Sequence, residues 1–341
     1  MSGRQGVATA GTWCVDLNKS IAQWPAEDTS NEVLAIDRQG GGSACNMAID
    51  LKRLDPDFPV ETMGVVGDDD DDARFLLAQC DAYRIERAGL LRLPGGGTMS
   101  VDAFNVVSTG RRTHFFHQGV AALMNPEHFD FSRCNARYLH VGLPGAHVQM
   151  DASWREDANG WVTTLRAARR CDLLTNLELM STSRERLAAL VRPCLPHLDM
   201  LVVNDFEIGA VAGVETRGPN GPNVAALAEA LDAALSLGAM SLVVAHFPQG
   251  AIAVTREGAR FAVGSLAMPP DAIAGVNGAG DAFAAGLLYA LHEGWAIEAS
   301  LRLAHASAAA SARAVSTTAG VGSVAECLAL ADRWGQRPAP T

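Results

Sequence analysis

Short apolar runs alternate with stretches of helical period along this chain. Residues 7–15 form an apolar run that ends at Asp16, and similar runs fall at 60–66, 136–141, 171–175, 200–204 and 242–246. Each is too short for a buried helix and rich enough in Val, Ala and Leu for a strand covered on both faces. Between them, residues 43–54, 159–169, 183–191 and 224–237 place apolar side chains at helical spacing. Strand–helix alternation of this kind predicts a mostly parallel sheet flanked by helices, an α/β fold.

Two regions break the rhythm. Residues 32–39 and 98–118 each show strand-like alternation of polar and apolar positions, with no helix inside either region. Met99-Ser100-Val101-Asp102-Ala103-Phe104 is the clearest case, and Arg112 to Phe116 follows a Ser108-Thr109-Gly110 turn. A small antiparallel sheet with one polar and one apolar face is expected here, as a lid or a dimer surface. The expected plan is one domain over 1–335, with lid segments at about 17–40 and 97–120. The Pro-rich tail at 336–341 is expected to fray.

Composition narrows the partners. The charge is 27 − 38 = −11 over 341 residues, with no basic cluster to offset it, so a nucleic-acid partner is not expected. Any polyphosphate ligand must find positive potential locally, from helix N-termini, Mg²⁺ or a few arginines. The seven cysteines are odd in number and form no C-x₂-C pair, which speaks against a zinc site or a disulfide framework. No signal peptide or membrane span is apparent, and a cytoplasmic protein is expected.

The chemistry concentrates at Val276-Asn277-Gly278-Ala279-Gly280-Asp281-Ala282-Phe283. A glycine-rich turn enters an apolar helix, and one carboxylate sits at the junction. The first amides of a helix lack partners inside it and carry the positive end of its dipole, so they hold anions. Gly278 and Gly280 let the backbone approach a ligand closely. Asp281 would stand beside the anion as a proton acceptor for an attacking hydroxyl. An ordinary capped strand–helix turn is the plainer alternative, but the chain has no G-x-x-x-x-G-K-[ST], G-x-G-x-x-G or G-x-S-x-G elsewhere.

A second cluster, Gly40-Gly41-Gly42-Ser43-Ala44-Cys45-Asn46-Met47-Ala48, also leads glycines into a helix. Asn46 on its first turn could both donate to and accept from a polyol; a plain capped turn would look the same. Asp68 to Asp72 reads as a solvated acidic helix start and not as a metal site. His114 and His117 fall on opposite faces of a strand, which argues against shared metal ligation. Arg111 and Arg112 read as surface charges, with contact to an acidic sugar as the lesser alternative.

These residues together resemble the PfkB/ribokinase-type carbohydrate kinases over about residues 5–325. Asn277-Gly278-Ala279-Gly280-Asp281 is similar to the family's anion-hole and base motif. Gly41, Gly42, Asn46 and Ala48 match its Gly-Gly-x-x-x-Asn-x-Ala signature, Asp16 its sugar-binding first-strand Asp, and Asn204-Asp205-Phe206-Glu207 its Asn-x-x-Glu motif. The resemblance implies a ribokinase-like fold and ATP-dependent phosphorylation of a primary hydroxyl on a small sugar or sugar acid. An adenosine-type nucleoside kinase, or a non-catalytic sugar- or nucleotide-binding regulator, are the alternatives. It implies Asp281 as the base and amides of 278–280 as the anion hole. Asp16, Gly41, Gly42 and Asn46 would take the sugar, and Asn204, Glu207, Asn277 and Ala306 the nucleotide side. Glu207 would hold Mg²⁺ through water, and a homodimer through the lid is a family expectation. Four departures stand out. Asp55 replaces the usual Gly just after the early helix. Gly275 replaces an Asp that helps hold a monovalent cation, leaving cation dependence open. Ala245 to Gly250 replaces the family's Thr-x-Gly segment. The mid-chain Asp-x-Asn survives only as Thr175-Asn176.

Overall fold

A computed structural model describes residues 3–109, 111–219 and 221–341. Gly110 of the expected Ser-Thr-Gly turn lies outside them. The strands are β1 (Val7–Gly11), β2 (Cys14–Ile21), β3 (Val33–Gly41), β4 (Val60–Gly67), β5 (Glu86–Leu93), β6 (Met99–Val106), β7 (Arg112–His117), β8 (Tyr138–Gly142), β9 (Leu174–Leu177), β10 (Met200–Asn204), a two-residue hairpin β11 (Arg217–Gly218) and β12 (Gly221–Pro222), β13 (Leu242–Phe247), β14 (Gly250–Thr255) and β15 (Arg260–Gly264). The helices are α1 (Ser43–Leu54), α2 (Asp71–Ala82), α3 (Val148–Asp151), α4 (Gly160–Arg170), α5 (Arg184–Val191), α6 (Asp205–Ala212), α7 (Val224–Leu237), α8 (Ala279–His292), α9 (Ile297–Ser311) and α10 (Val324–Trp334).

The main sheet has nine strands in the order β15-β14-β13-β10-β9-β8-β1-β4-β5. From β5 to β13 every pairing is parallel; β14 and β15 close one edge antiparallel. Successive residues of β1 point into opposite cores. Val7 joins a cluster with α1, α8, α9 and α10, and Ala8 joins one with α4, α6 and α7. Both faces are therefore buried, and the central strands read as apolar runs without alternation.

The expected strand over 7–15 is two strands in different sheets. Gly11 adopts φ +116, and a Cβ there would stand 1.7 Å from the Gly142 carbonyl oxygen. The chain turns at that point, Trp13 anchors in the core with its indole N–H donating to Thr62 Oγ1 at 2.8 Å, and β2 leaves for the lid. The lid orders its strands β3-β2-β6-β7. Its outer pairs are antiparallel and its central pair, β2 with β6, is parallel. In the tail that was expected to fray, Gln336 bridges Leu266, and the Arg337 N–H donates to the Ser265 carbonyl at 2.8 Å. Asp70 caps α2, accepting from the Ala73 N–H and from Thr98, while Asp69, Asp71 and Asp72 pair with Arg74 and Arg38. All seven cysteines are free. Among the described residues no helix is long and apolar enough to cross a membrane.

Candidate active site

The candidate residues gather at the carboxyl ends of the parallel strands, where open α/β sheets collect ligands. Asp16 lies near the start of lid strand β2, just after β1, Glu178 follows β9, Asn204 ends β10, and the N-terminus of α8 closes the group. A cavity of about 180 Å³ is lined by Glu178, Asn204, Glu207, His246, Gly278, Gly280 and Asp281. Two larger surface cavities, of about 430 and 860 Å³, are lined by residues such as Arg53, Tyr83, Phe58 and Glu61 and hold none of the candidate residues.

Gly278 is the N-cap of α8, with φ +78. A Cβ there would approach the Thr317 carbonyl oxygen to 2.3 Å, so the turn itself requires glycine. Gly280 is different. A Cβ at 280 would meet only the His246 ring, at 3.7 Å, so this glycine leaves the cavity open without being demanded by packing. Among the described residues, no acceptor meets the N–H groups of Gly278, Gly280 or Asp281, whereas Ala279 N–H reaches back to the Val276 carbonyl at 3.4 Å. The free amides at the head of this fourteen-residue helix are thus 278, 280 and 281. Ala279, expected in that set, is already engaged.

Asp281 accepts from Asn46 Nδ2 at 2.9 Å, and Asn46 Oδ1 accepts from Thr317 Oγ1 at 3.2 Å. Packing of α1 against α8 makes this contact. Asn46 was expected to orient sugar hydroxyls; its amide links Asp281 to Thr317. Burial, and then the neighbouring Glu178 carboxyl, push the Asp281 carboxyl well above the usual carboxylate range. Asp16 is raised to about 6, chiefly by burial. Gly41 lies flat against it: a Cβ at 41 would sit 2.4 Å from the Asp16 carboxyl. Gly42, at φ +89, caps α1 over Thr12.

Asn204 and Glu207 form a capping box on α6. Asn204 Oδ1 accepts from the Glu207 N–H at 2.9 Å, and Glu207 accepts from the Asn204 N–H at 3.0 Å and from Ser181 Oγ at 3.0 Å. Burial raises Glu207 to about 7. Asn277 is half-buried in the turn before α8. Ala306, expected on the nucleotide side, is wholly buried in the core with α8 and lines none of these three cavities. Small side chains along α9 serve close packing here: a Cβ on Gly286 of α8 would fall 3.0 Å from Ala304 Cα.

Several neighbours were not foreseen. Glu178 and the fully buried His140 are joined at 2.6 Å, and Glu178 is also hydrogen-bonded to Asp281. His246 stacks on Phe283 with ring centroids 4.7 Å apart, and burial lowers it to about 4. On the lid, strand alternation puts Arg112 and His114 on the same face as Asp16, and His117 on the other. The Arg112 guanidinium comes within 2.8 Å of where a Cβ at 275 would be, and it has no ion pair among the described residues. Thr175-Asn176 was the only sequence signal near Glu178, and nothing local pointed to His140.

The sequence matches the family model described as pfkB family carbohydrate kinase over residues 6–322. Among solved structures it is similar to Arabidopsis thaliana ribokinase complexed with ribose and ATP, at 17% identity and TM-score 0.76, covering 96% of this chain and 98% of that one. Ribokinase from Thermotoga maritima gives 17% and 0.75, covering 96% and 99%. A Methanocaldococcus jannaschii nucleoside kinase gives 16% and 0.73, covering 97% and 100%. No curated protein matches the sequence.

Proposed function

The chain belongs to the pfkB family of carbohydrate kinases, and we propose that it transfers the γ-phosphoryl group of ATP to a primary hydroxyl of a small sugar or sugar acid. One observation carries this reading: Asp281 lines a cavity at the head of α8, where three N–H groups have no acceptor among the described residues. The acceptor hydroxyl loses its proton to Asp281 as its oxygen attacks the γ-phosphorus, and ADP leaves. The amides of 278, 280 and 281 stabilise charge gathering on the transferred oxygens. Such catalysis is positioning and electrostatics. Asp16, with Gly41 and Gly42 beneath it, takes sugar hydroxyls from the lid side.

Asn204 and Glu207 offer the hard oxygen ligands that Mg²⁺ prefers. Both Glu207 oxygens already accept hydrogen bonds, so this carboxylate would hold the ion through water, and the ion would neutralise phosphate charge. A sugar acid remains in the substrate class because Arg112 lies on the Asp16 face of the lid without a carboxylate partner among the described residues. The outer lid face exposes Ile36 and Phe115, beside the Trp24–Phe104–Phe115 aromatic cluster, which supports a homodimer through the lid.

Coupled ADP release with MgATP and a panel of ribose, fructose, 2-keto-3-deoxygluconate and adenosine tests the reading. Release that depends on a carbohydrate is expected. Release with adenosine alone would make the protein a nucleoside kinase. No release with any acceptor, despite ligand-induced thermal shifts, would make it a binding protein.

A further inference from the structure

A chain of hydrogen bonds continues behind Asp281, away from the cavity. Asn176 Oδ1 accepts from the Val202 N–H at 3.1 Å. A main-chain N–H can only donate, so the orientation of this amide is fixed and its Nδ2 faces His140 Nδ1, at 2.9 Å. Nδ1 is therefore the acceptor. His140 is wholly buried, and burial lowers it to about 4, so the ring is neutral. Its one proton is on Nε2, which donates to Glu178 Oε2 at 2.6 Å. Glu178 lines one cavity with Asp281 and is its side-chain hydrogen-bond partner. Two carboxyl groups in hydrogen-bond contact need a proton between them, and desolvation disfavours a second negative charge.

We propose that Glu178, oriented by His140 and Asn176, is a positioning residue that shares one proton with Asp281 and holds the ionised base toward the acceptor. Before transfer Glu178 carries the proton and Asp281 the charge. The acceptor O–H bond breaks as the new O–P bond forms and the bridging P–O bond to ADP breaks. Asp281 takes that proton, and the pair, briefly holding two, returns one to water with product release. Other titratable groups face this pair. Asp16 comes from β2, Cys45 and Asp50 from α1, His140 from β8 and Glu207 from α6. All the carboxylates among them oppose a second charge on the pair.

The inference rests on the kinase reading for its rate measurement but not for its spectroscopic one. In Glu178→Gln, the new amide oxygen accepts from His140 and the new N–H donates to Asp281, so geometry is kept and the shared proton is lost. Because Glu178 is neutral before transfer, Gln at 178 leaves a neutral donor against Asp281. The acid limb of kcat/KM, read by ADP release with whichever panel acceptor works, should therefore stay within about half a pH unit and the plateau within about tenfold, while the alkaline limb, on which the pair loses its shared proton, should move up or disappear. An alkaline limb unchanged in position overturns the proposal. Infrared spectra of the unliganded protein at pH 7 give a second reading that needs no acceptor. The wild-type-minus-Asp281→Asn difference should contain a protonated-carboxyl band, because Glu178 ionises once it faces an amide. Absence of that band overturns the shared proton even if Glu178→Gln fails to fold. If no acceptor supports ADP release, the kinase reading falls, and the infrared band still decides the proton.

Discussion

Replacing Asp281 by Asn separates chemistry from architecture at this site. The two side chains are isosteric, and the 2.9 Å bond from Asn46 Nδ2 can be kept by the new amide oxygen, while the new NH₂ faces Glu178. The variant relieves the crowding of buried carboxylates that raises Asp281, so its stability should lie within about 1 kcal/mol of wild type or above it. What it loses is the proton acceptor. General-base catalysis contributes roughly 10²–10⁴-fold, so kcat should fall by that factor, or about 3–5 kcal/mol in activation free energy. The anion-holding amides are main-chain groups and survive the change, so KM for ATP should stay within about threefold. Steady-state ADP release and a urea melt on the same preparation read both quantities. A folded variant whose kcat stays within about threefold of wild type refutes Asp281 as the base.

Asp16→Ala should raise KM for the sugar by about 10–100-fold, the worth of a lost charge-assisted hydrogen bond, with little change in KM for ATP; equal effects on both would remove Asp16 from the sugar pocket. The two glycines of the anion-hole turn should respond differently. Gly278→Ala forces φ +78 on a side chain that meets a carbonyl at 2.3 Å, and should cost about 1–3 kcal/mol of stability along with activity. Gly280→Ala meets no atom closer than 3.7 Å, so it should melt near wild type and lose phosphoryl transfer alone. Equal losses of stability in the two variants would contradict this division.

Much of this protein is legible locally. Apolar runs bounded by turns set the central strands, and helical spacing set α1 and α7, because those patterns follow from burial on two faces or one. The glycine turn before α8 announced an anion site, since unpaired helix amides need only the local chain. Other elements carried weak local signals. β5 is an edge strand rich in charge, and β14 and β15 extend the sheet after a hairpin that β13 alone does not imply. The break of the first strand at Gly11 depends on the Gly142 carbonyl, 131 positions away in the chain.

The sequence by itself determined the elements and the residues whose chemistry acts through their own backbone: the glycines, the helix head and the carboxylate at its first turn. Only the tertiary structure decided what surrounds that carboxylate. Glu178, His140 and Asn46 come from different strands and helices, and each reaches Asp281 or its neighbour because parallel strands end at one sheet edge. The same packing sealed Ala306 inside the core. Burial and charge proximity are properties of through-space distance, and distance between remote residues is fixed when the sheet assembles and not before.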